Sequence, residues 1–432
     1  MGGKISELDK LVWERFIKTA MQADGFIVRE VPAYQTTDTS EDVPKTLQVI
    51  QPLEIQIGIL TKGARMTQNI WWELYVNHRG LHYDDVEGQP NKSNRSRLTA
   101  DISSRLVGDI YLPIPVVSAN MECVTDGEFA KYLARRGAVG VVHQFFTKDQ
   151  QVAEVMKVKQ ASVEKPIQID ERLTLEQTLD ANGKYVVGAA IGVNDGAYRR
   201  AHGLIKAGVD FLVVDIAHGH SKEVIDLVKK IKRYNPGTKV IAGNVVTPEA
   251  AYELCEAGVD GLKVGIGPGD VCITGDVTGF GSYESQLTAI ARVKAVAKNY
   301  NVTVIADGGI KNSGHVAQAL AAGANTVMIG SMFAACEESA NFNSEDRIPE
   351  GEMRKNRKHV LYWGSASSRM NRLLGLGSSN IAEGTIKELQ IQQGGAQQVL
   401  LDMRVGLGSA FSYAGAKNTR EFYGKSRWNL AK

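Results

Sequence analysis

Between residues 115 and 331 eight short apolar runs recur, each closing on small or polar residues: 115–120, 138–143, 185–192, 211–215, 239–244, 261–265, 302–307 and 326–331. They lack the polar alternation of a half-exposed strand, so each must be covered on both faces. That is the condition of a parallel sheet wrapped by helices. Between most of them lie stretches with apolar residues at helical spacing, at 127–136, 197–207, 223–233, 248–257, 286–298 and 314–322. Eight such β–α units occupy about 250 residues in a closed barrel. The expectation is an α/β chain, a (β/α)8 TIM barrel with an N-terminal extension.

The barrel is assigned to residues 81–432 and the extension, of unknown role, to 1–80. In the extension, residues 5–21 carry an amphipathic helical pattern, and 26–31 and 47–60 are β-like. Trp71, Trp72 and Tyr75 offer an apolar contact surface there. Within the barrel, 144–184 and 265–286 are too long for a plain connection, and a short insert is placed at about 150–184.

Hydrophobic residues make up 43% of the chain and charged residues 23%, the composition of an ordinary globular protein. A formal charge of +2 implies no broad basic surface, so no nucleic-acid partner is expected. The basic run at 354–359 reads as a solvated loop. Four cysteines without a C-x-x-C pair argue against a zinc site or a disulfide framework. No apolar run reaches membrane-spanning length and the N-terminus lacks a secretory core, so a reduced cytoplasmic location is expected.

The chemistry concentrates on Gly265-Ile-Gly-Pro-Gly-Asp-Val-Cys272-Ile-Thr274, a glycine loop that follows the sixth apolar run. Glycines permit positive φ and close approach of a ligand, and a cysteine on such a loop is placed to act as a nucleophile. Barrel chemistry sits on the loops after the strands. The polar residues found there are Ser118, Asn120, His143, Asp215, His218, Asn244, Cys272, Asp307 and Ser331. The seventh and eighth runs end in Asp307-Gly308-Gly309 and Gly330-Ser331, where backbone N–H groups ahead of helices suit a phosphate. His143, His218 and His220 read as structural histidines, since no i, i+4 histidine pair with a carboxylate accompanies them.

Several ordered motifs resemble the IMP dehydrogenase/GMP reductase family. They are PVVSANM at 115–121, DIAHGHS at 215–221, AGNVVT at 242–247, KVGIGPG at 263–269 with Cys272, IADGGI at 305–310 and YAGA at 413–416, with LHYDDV at 81–86 near the usual start of that barrel. The resemblance spans about 81–425 apart from the interior of 145–184. It implies that Cys272 attacks C2 of a purine nucleotide while a nicotinamide stacked on the base accepts or delivers hydride. Thr274 would exchange a proton with the departing or attacking group, and Glu383 with Gly384 would hold the base. Ser118, Asn120, Asp270, Tyr362 and Gly364 fall at further substrate positions. Asp307 would bind the ribose hydroxyls, and Gly308, Gly309, Gly330 and Ser331 the phosphate. Asp215, Ala217, Asn244, Gly265 and Gly267 would face the cofactor. Carbonyls of Gly267, Gly269 and Cys272 could hold a potassium ion, and members are typically homotetramers.

Two reactions divide the family. Dehydrogenases carry an Arg-Tyr pair on a mobile flap, placed here at about 365–400, and the arginine activates the hydrolytic water. Residues 375–384, GLGSSNIAEG, hold neither. Asn120 is the reductase form, and the insert is too short for the regulatory domain pair of most dehydrogenases. The expectation is therefore NADPH-dependent conversion of GMP, or a close guanine analogue, to IMP and ammonia. Alternatives are an NAD-dependent IMP dehydrogenase and a non-catalytic purine-binding relative. Four residues depart from the family pattern: Asp270 for a phosphate-contacting serine, Gln144 for a lysine, Ser365 for a methionine and Gly275 for an arginine. A carboxylate ~4 Å from a phosphate charge costs about 4 kcal/mol at an effective dielectric near 20, about three decades in affinity. Either Asp270 turns away or is paired, or the ligand presents no phosphate there and is a nucleoside or modified nucleotide whose hydroxyls donate to Asp270.

Overall fold

The computed structural model describes residues 80–282, 285–343, 358–375 and 381–431. The readings made for residues 5–75 and the basic residues 354–357 lie outside that range. Eight parallel strands form one sheet: β1 Val116–Ser118, β2 Gly140–Val142, β3 Val187–Ile191, β4 Phe211–Asp215, β5 Lys239–Val245, β6 Gly261–Val264, β7 Thr303–Asp307 and β8 Thr326–Ile329. Sequential strands pair from β2 through β8, and β8 returns to β1, with Val327 opposite Val116. The seam between β1 and β2 is closed where Val117 faces Val139, the Ser118 N–H donating to the Val139 carbonyl at 3.0 Å. The result is the expected (β/α)8 TIM barrel.

Seven crossover helices cover the outside: α1 Gly127–Ala134, α2 Lys148–Lys159, α3 Ala197–Lys206, α4 Lys222–Tyr234, α5 Pro248–Glu256, α6 Gln286–Ala297 and α7 Ser313–Ala322. An eighth, α8 Gly395–Ala414, packs along α7. Strand burial explains the unbroken apolar runs, since every residue of β1, β2, β3, β6 and β8 is buried.

Helix α2 corrects the sequence reading, which left residues 148–159 among loop and insert. Its buried face is Gln151, Val155 and Val158 alone, too narrow a stripe to stand out among charged neighbours. Thr147 caps it in a reciprocal pair with Gln150. The Gln151 amide replaces an apolar side chain, donating to the carbonyls of Val142, His143 and Ala190 at 3.3, 3.0 and 2.7 Å. The remaining insertion holds a short hairpin, Ile167–Gln168 with Thr174–Leu175.

One end of the barrel is plugged by the antiparallel pair Ser104–Val107 and Ile110–Leu112. Leu106, Val107, Ile110 and Leu112 join Val117, Val141, Phe211, Val213, Ile241, Ile305 and Met328 in one interior cluster. Thr303, at the start of β7, donates to the Leu106 carbonyl at 2.5 Å, so the plug sits at the N-terminal ends of the strands. The open end is therefore the C-terminal rim, where barrel loops carry chemistry.

Candidate active site

A cavity of about 390 Å³ opens at that rim, lined by loops from every strand end except β3. The glycine loop forms one wall. Gly265 takes φ +136°, and a Cβ there would lie 2.1 Å from the Asp307 carbonyl oxygen, so only glycine lets the strand end turn against its neighbour. Gln286 at the head of α6 ties the same turn down, its amide donating to the carbonyls of Val264 at 2.9 Å and Asp307 at 3.1 Å. Farther along, the Cys272 N–H donates to the Gly269 carbonyl at 3.0 Å and sets the thiol at the cavity wall. Its Sγ lies 3.2 Å from Thr274 Oγ1.

The opposite wall comes from far along the chain. Strand His359–Trp363 pairs antiparallel with Ile386–Gln390, and the segment between them returns Glu383 and Gly384 to the cysteine loop. The Ile273 N–H donates to the Glu383 carbonyl at 2.9 Å, and the Thr385 N–H to the Val271 carbonyl at 2.8 Å. Tyr362 is buried. Burial, together with the charges of Cys123, Asp270, Asp307 and Cys272, raises its pKa well above the usual phenol value, so it is a hydroxyl donor across neutral pH.

Charge on the floor centres on Lys263 of β6. Its ammonium lies 2.9 Å from Asp215 Oδ1 and 2.6 Å from Asp307 Oδ2. Burial opposes the charge, but the two carboxylates outweigh it and hold the lysine above its ordinary range. Asn120 donates to Asp215 Oδ2 at 2.5 Å, and Asn244 to Asp307 Oδ2 at 2.8 Å and the Gly265 carbonyl at 2.5 Å. Both Asp215 oxygens are thus engaged inside the protein, whereas Asp307 is held through one. Asn244 Oδ1 is buried with no partner, an acceptor available to a ligand N–H.

The structure gathers nearly every anticipated residue. Asn120, Asp215, Ala217, Asn244, Gly265, Gly267, Gly269, Asp270, Cys272, Thr274, Asp307, Gly308, Gly309, Gly330, Ser331, Tyr362, Gly364, Glu383 and Gly384 all line the cavity, as do Gln144 and Ser365. Ser118 does not. It is fully buried on β1, its hydroxyl 2.7 Å from Thr125 Oγ1 just ahead of α1, because Val117 and Ala119 take the barrel interior and alternation turns Ser118 outward to the helix layer. His143 is likewise off the lining, stacked on Phe146 at 4.1 Å, and His218 and His220 lie outside it. Among the described residues no group of three His, Cys, Asp or Glu side chains could hold a metal ion. The Gly269 carbonyl, one of the anticipated potassium ligands, already accepts the Cys272 N–H. The residue that sequence reading missed is Lys263. Its signal was present, a lone charge inside the apolar run 261–265.

A cysteine and a threonine on a glycine loop, a Glu-Gly pair hydrogen-bonded to that loop, and an Asp-Gly-Gly turn beside it form one wall-to-wall arrangement. Residues 80–431 match the IMP dehydrogenase / GMP reductase domain. The chain belongs to that family. Its relatives carry both names. An inosine-5′-monophosphate dehydrogenase of Borreliella burgdorferi is 36% identical over 376 residues, 79% of this chain and 91% of that protein. One from Cryptosporidium parvum is 41% identical over 282 residues, 60% and 69%. A GMP reductase of Lactococcus lactis is 38% identical over 341 residues, 78% and 91%. IMP dehydrogenase/GMP reductase enzymes are oxidoreductases that use nicotinamide cofactors, and a purine nucleotide substrate fits the family. Coverage of 91% of a dehydrogenase shows that a short insert does not separate the two activities. No described helix is long and apolar enough to cross a membrane.

Proposed function

We propose that the chain is a reductase that removes the 2-amino group of a guanine nucleotide or nucleoside as ammonia, using NADPH. The observation that carries this reading is the composition of the cavity around Cys272: a thiol, a threonine hydroxyl at 3.2 Å and the Glu383 segment, with no arginine on the described lining. Residues 375–384 supply none either. Hydrolysis of a purine adduct needs a group that deprotonates water, whereas departure of an amine needs one that delivers a proton. Thr274 and Glu383 can relay that proton, and the arginine that activates water in the dehydrogenases has no counterpart in residues 375–384.

In this reading the Cys272 sulfur bonds to purine C2, and the amine leaves as Thr274 and Glu383 pass it a proton. A dihydronicotinamide, when bound, would be the hydride source for C2, and Cys272 would leave as the thiolate as the C–S bond breaks. The free oxygen of Asp307 takes the ribose hydroxyls. The unpartnered acceptor of Asn244 suits the carboxamide N–H of a nicotinamide, which supports a cofactor on that side of the cavity. Asn120, bonded to Asp215, and Lys263 hold the floor rigid. Identity to relatives of both names overlaps, 36% and 41% against 38%, so the assay decides. Loss of dihydronicotinamide absorbance with stoichiometric ammonia release, dependent on a guanine compound, is expected. Steady formation of NADH from NAD with IMP would instead identify a dehydrogenase.

A further inference from the structure

We propose that Asp270 makes this cavity select a purine nucleoside with a free 5′-hydroxyl over the corresponding 5′-monophosphate. The inference rests on the reading above only in placing a purine base against Cys272. Four carboxylates line the cavity, those of Asp215, Asp270, Asp307 and Glu383, against one described cation, Lys263. Lys263 is already bonded to Asp215 and Asp307 and has no charge to spare for a ligand. Asp270 is part of the cavity lining and half-buried, and no described hydrogen bond or ion pair engages its side chain.

Its neighbours define the corner it occupies. The loop that carries it presses on the turn after β7, where a Cβ on Gly308 would stand 2.8 Å from Pro268 Cγ and 3.0 Å from the Gly269 nitrogen. Across the corner, Tyr362 Oη would be 2.5 Å from a Cβ on Gly330, and Asp270 is near enough for its charge to act on that phenol. The segment that carries Asp270 therefore abuts the turn Gly308–Gly309, and Tyr362 closes on Gly330 in the same cavity lining. That is where the 5′ end of a sugar arrives once the base meets Cys272 and the ribose hydroxyls meet Asp307. Without Asp270 the backbone N–H groups of the two turns would favour an anion there. With it, a phosphate dianion meets a fixed like charge with no described cation between them, a loss on the order of a thousandfold in affinity at ~4 Å separation. A hydroxymethyl group brings no charge and donates its proton to the unpartnered carboxylate, which satisfies both groups.

The test is binding and turnover measured side by side on the full chain. Calorimetric titration of guanosine, GMP, inosine and IMP into the wild type should show each nucleoside binding at least tenfold more tightly than its monophosphate. Asp270→Ser and Asp270→Asn, which remove the charge with little change of volume, should strengthen GMP binding by about a hundredfold or more and weaken guanosine. Equal or tighter binding of the monophosphates by the wild type overturns the inference, as does an unchanged preference in both variants or binding of neither ligand class. Turnover separates this from the reductase reading. GMP reduced in preference to guanosine leaves that reading standing and sinks this one. A nucleoside preference without ammonia release does the reverse.

Discussion

Replacing Lys263 by methionine keeps the side chain's length and removes its charge. In the folded protein the ammonium lies 2.9 Å from Asp215 and 2.6 Å from Asp307, with 5% of the lysine side chain exposed against 18% and 21% of the carboxylates. Unit charges about 4 Å apart attract by about 4 kcal/mol at an effective dielectric near 20, and desolvation of the lysine offsets much of what two such pairs contribute. The variant leaves both carboxylates without their cation, and breaking a buried pair costs about 3–5 kcal/mol. Because each carboxylate keeps about a fifth of its surface in water, we expect the lower end, about 3 kcal/mol, or a fall in Tm of roughly 4 °C for a barrel of this size. The sign with pH separates charge from packing. Without Lys263 two like charges stand together on the floor, a repulsion that acid relieves and that a packing defect does not share. The deficit should be full near pH 7.5 and shrink towards pH 4.5 in paired thermal melts. A deficit identical at both pH values, or below about 1 kcal/mol at neutral pH, would refute the reasoning. In the wild type the raised lysine works the other way: its contribution is complete below the unfolded lysine pKa and is lost only in strong alkali.

Cys272→Ala should lower turnover by about a thousandfold or more while shifting Tm by less than 2 °C, roughly the scatter for a substitution that strains nothing. Its turn is held by the backbone N–H to Gly269, which alanine keeps. Gly308→Ala forces a side chain onto a residue at φ +96° with Pro268 Cγ 2.8 Å away, and should cost about 1–3 kcal/mol and weaken ligand binding in the same titrations. Lys294 on α6 is pushed down to about 8 by burial first and then by Arg105 and Lys298. A lysine with a lowered folded pKa costs stability below that value and regains it as pH rises towards the unfolded pKa. Lys294→Met should therefore raise Tm at pH 7 by a few degrees, on the order of 2 kcal/mol, with the gain fading by about pH 10.

Helix α2 and Lys263 show where the pattern of residues stopped being informative. The buried face of α2 includes a glutamine whose three carbonyl partners lie on β2, at its end and on β3, so its apolar character is low although its burial is real. Lys263 stands in a run that reads as core, and its meaning depends on two aspartates from β4 and β7 that share no sequence neighbourhood with it. Ser118 erred in the opposite sense. It ends β1 two residues before Asn120, but its side chain turns outward to Thr125 under the helix layer, whereas the chain has left the strand by Asn120, which reaches Asp215 at the rim.

Eight buried strands with helices between them, a cysteine on a glycine loop and the motifs of one family are local or periodic properties, and the order of residues alone determined them. Periodicity records which faces must be covered, and glycine records where the backbone must turn. Which charges face one another was decided only by closure of the barrel. Closure brings residues from 120 to 383 around one cavity, leaves Lys263 shared between two carboxylates and leaves Asp270 with no described partner, because electrostatic energy depends on distances in space and not along the chain.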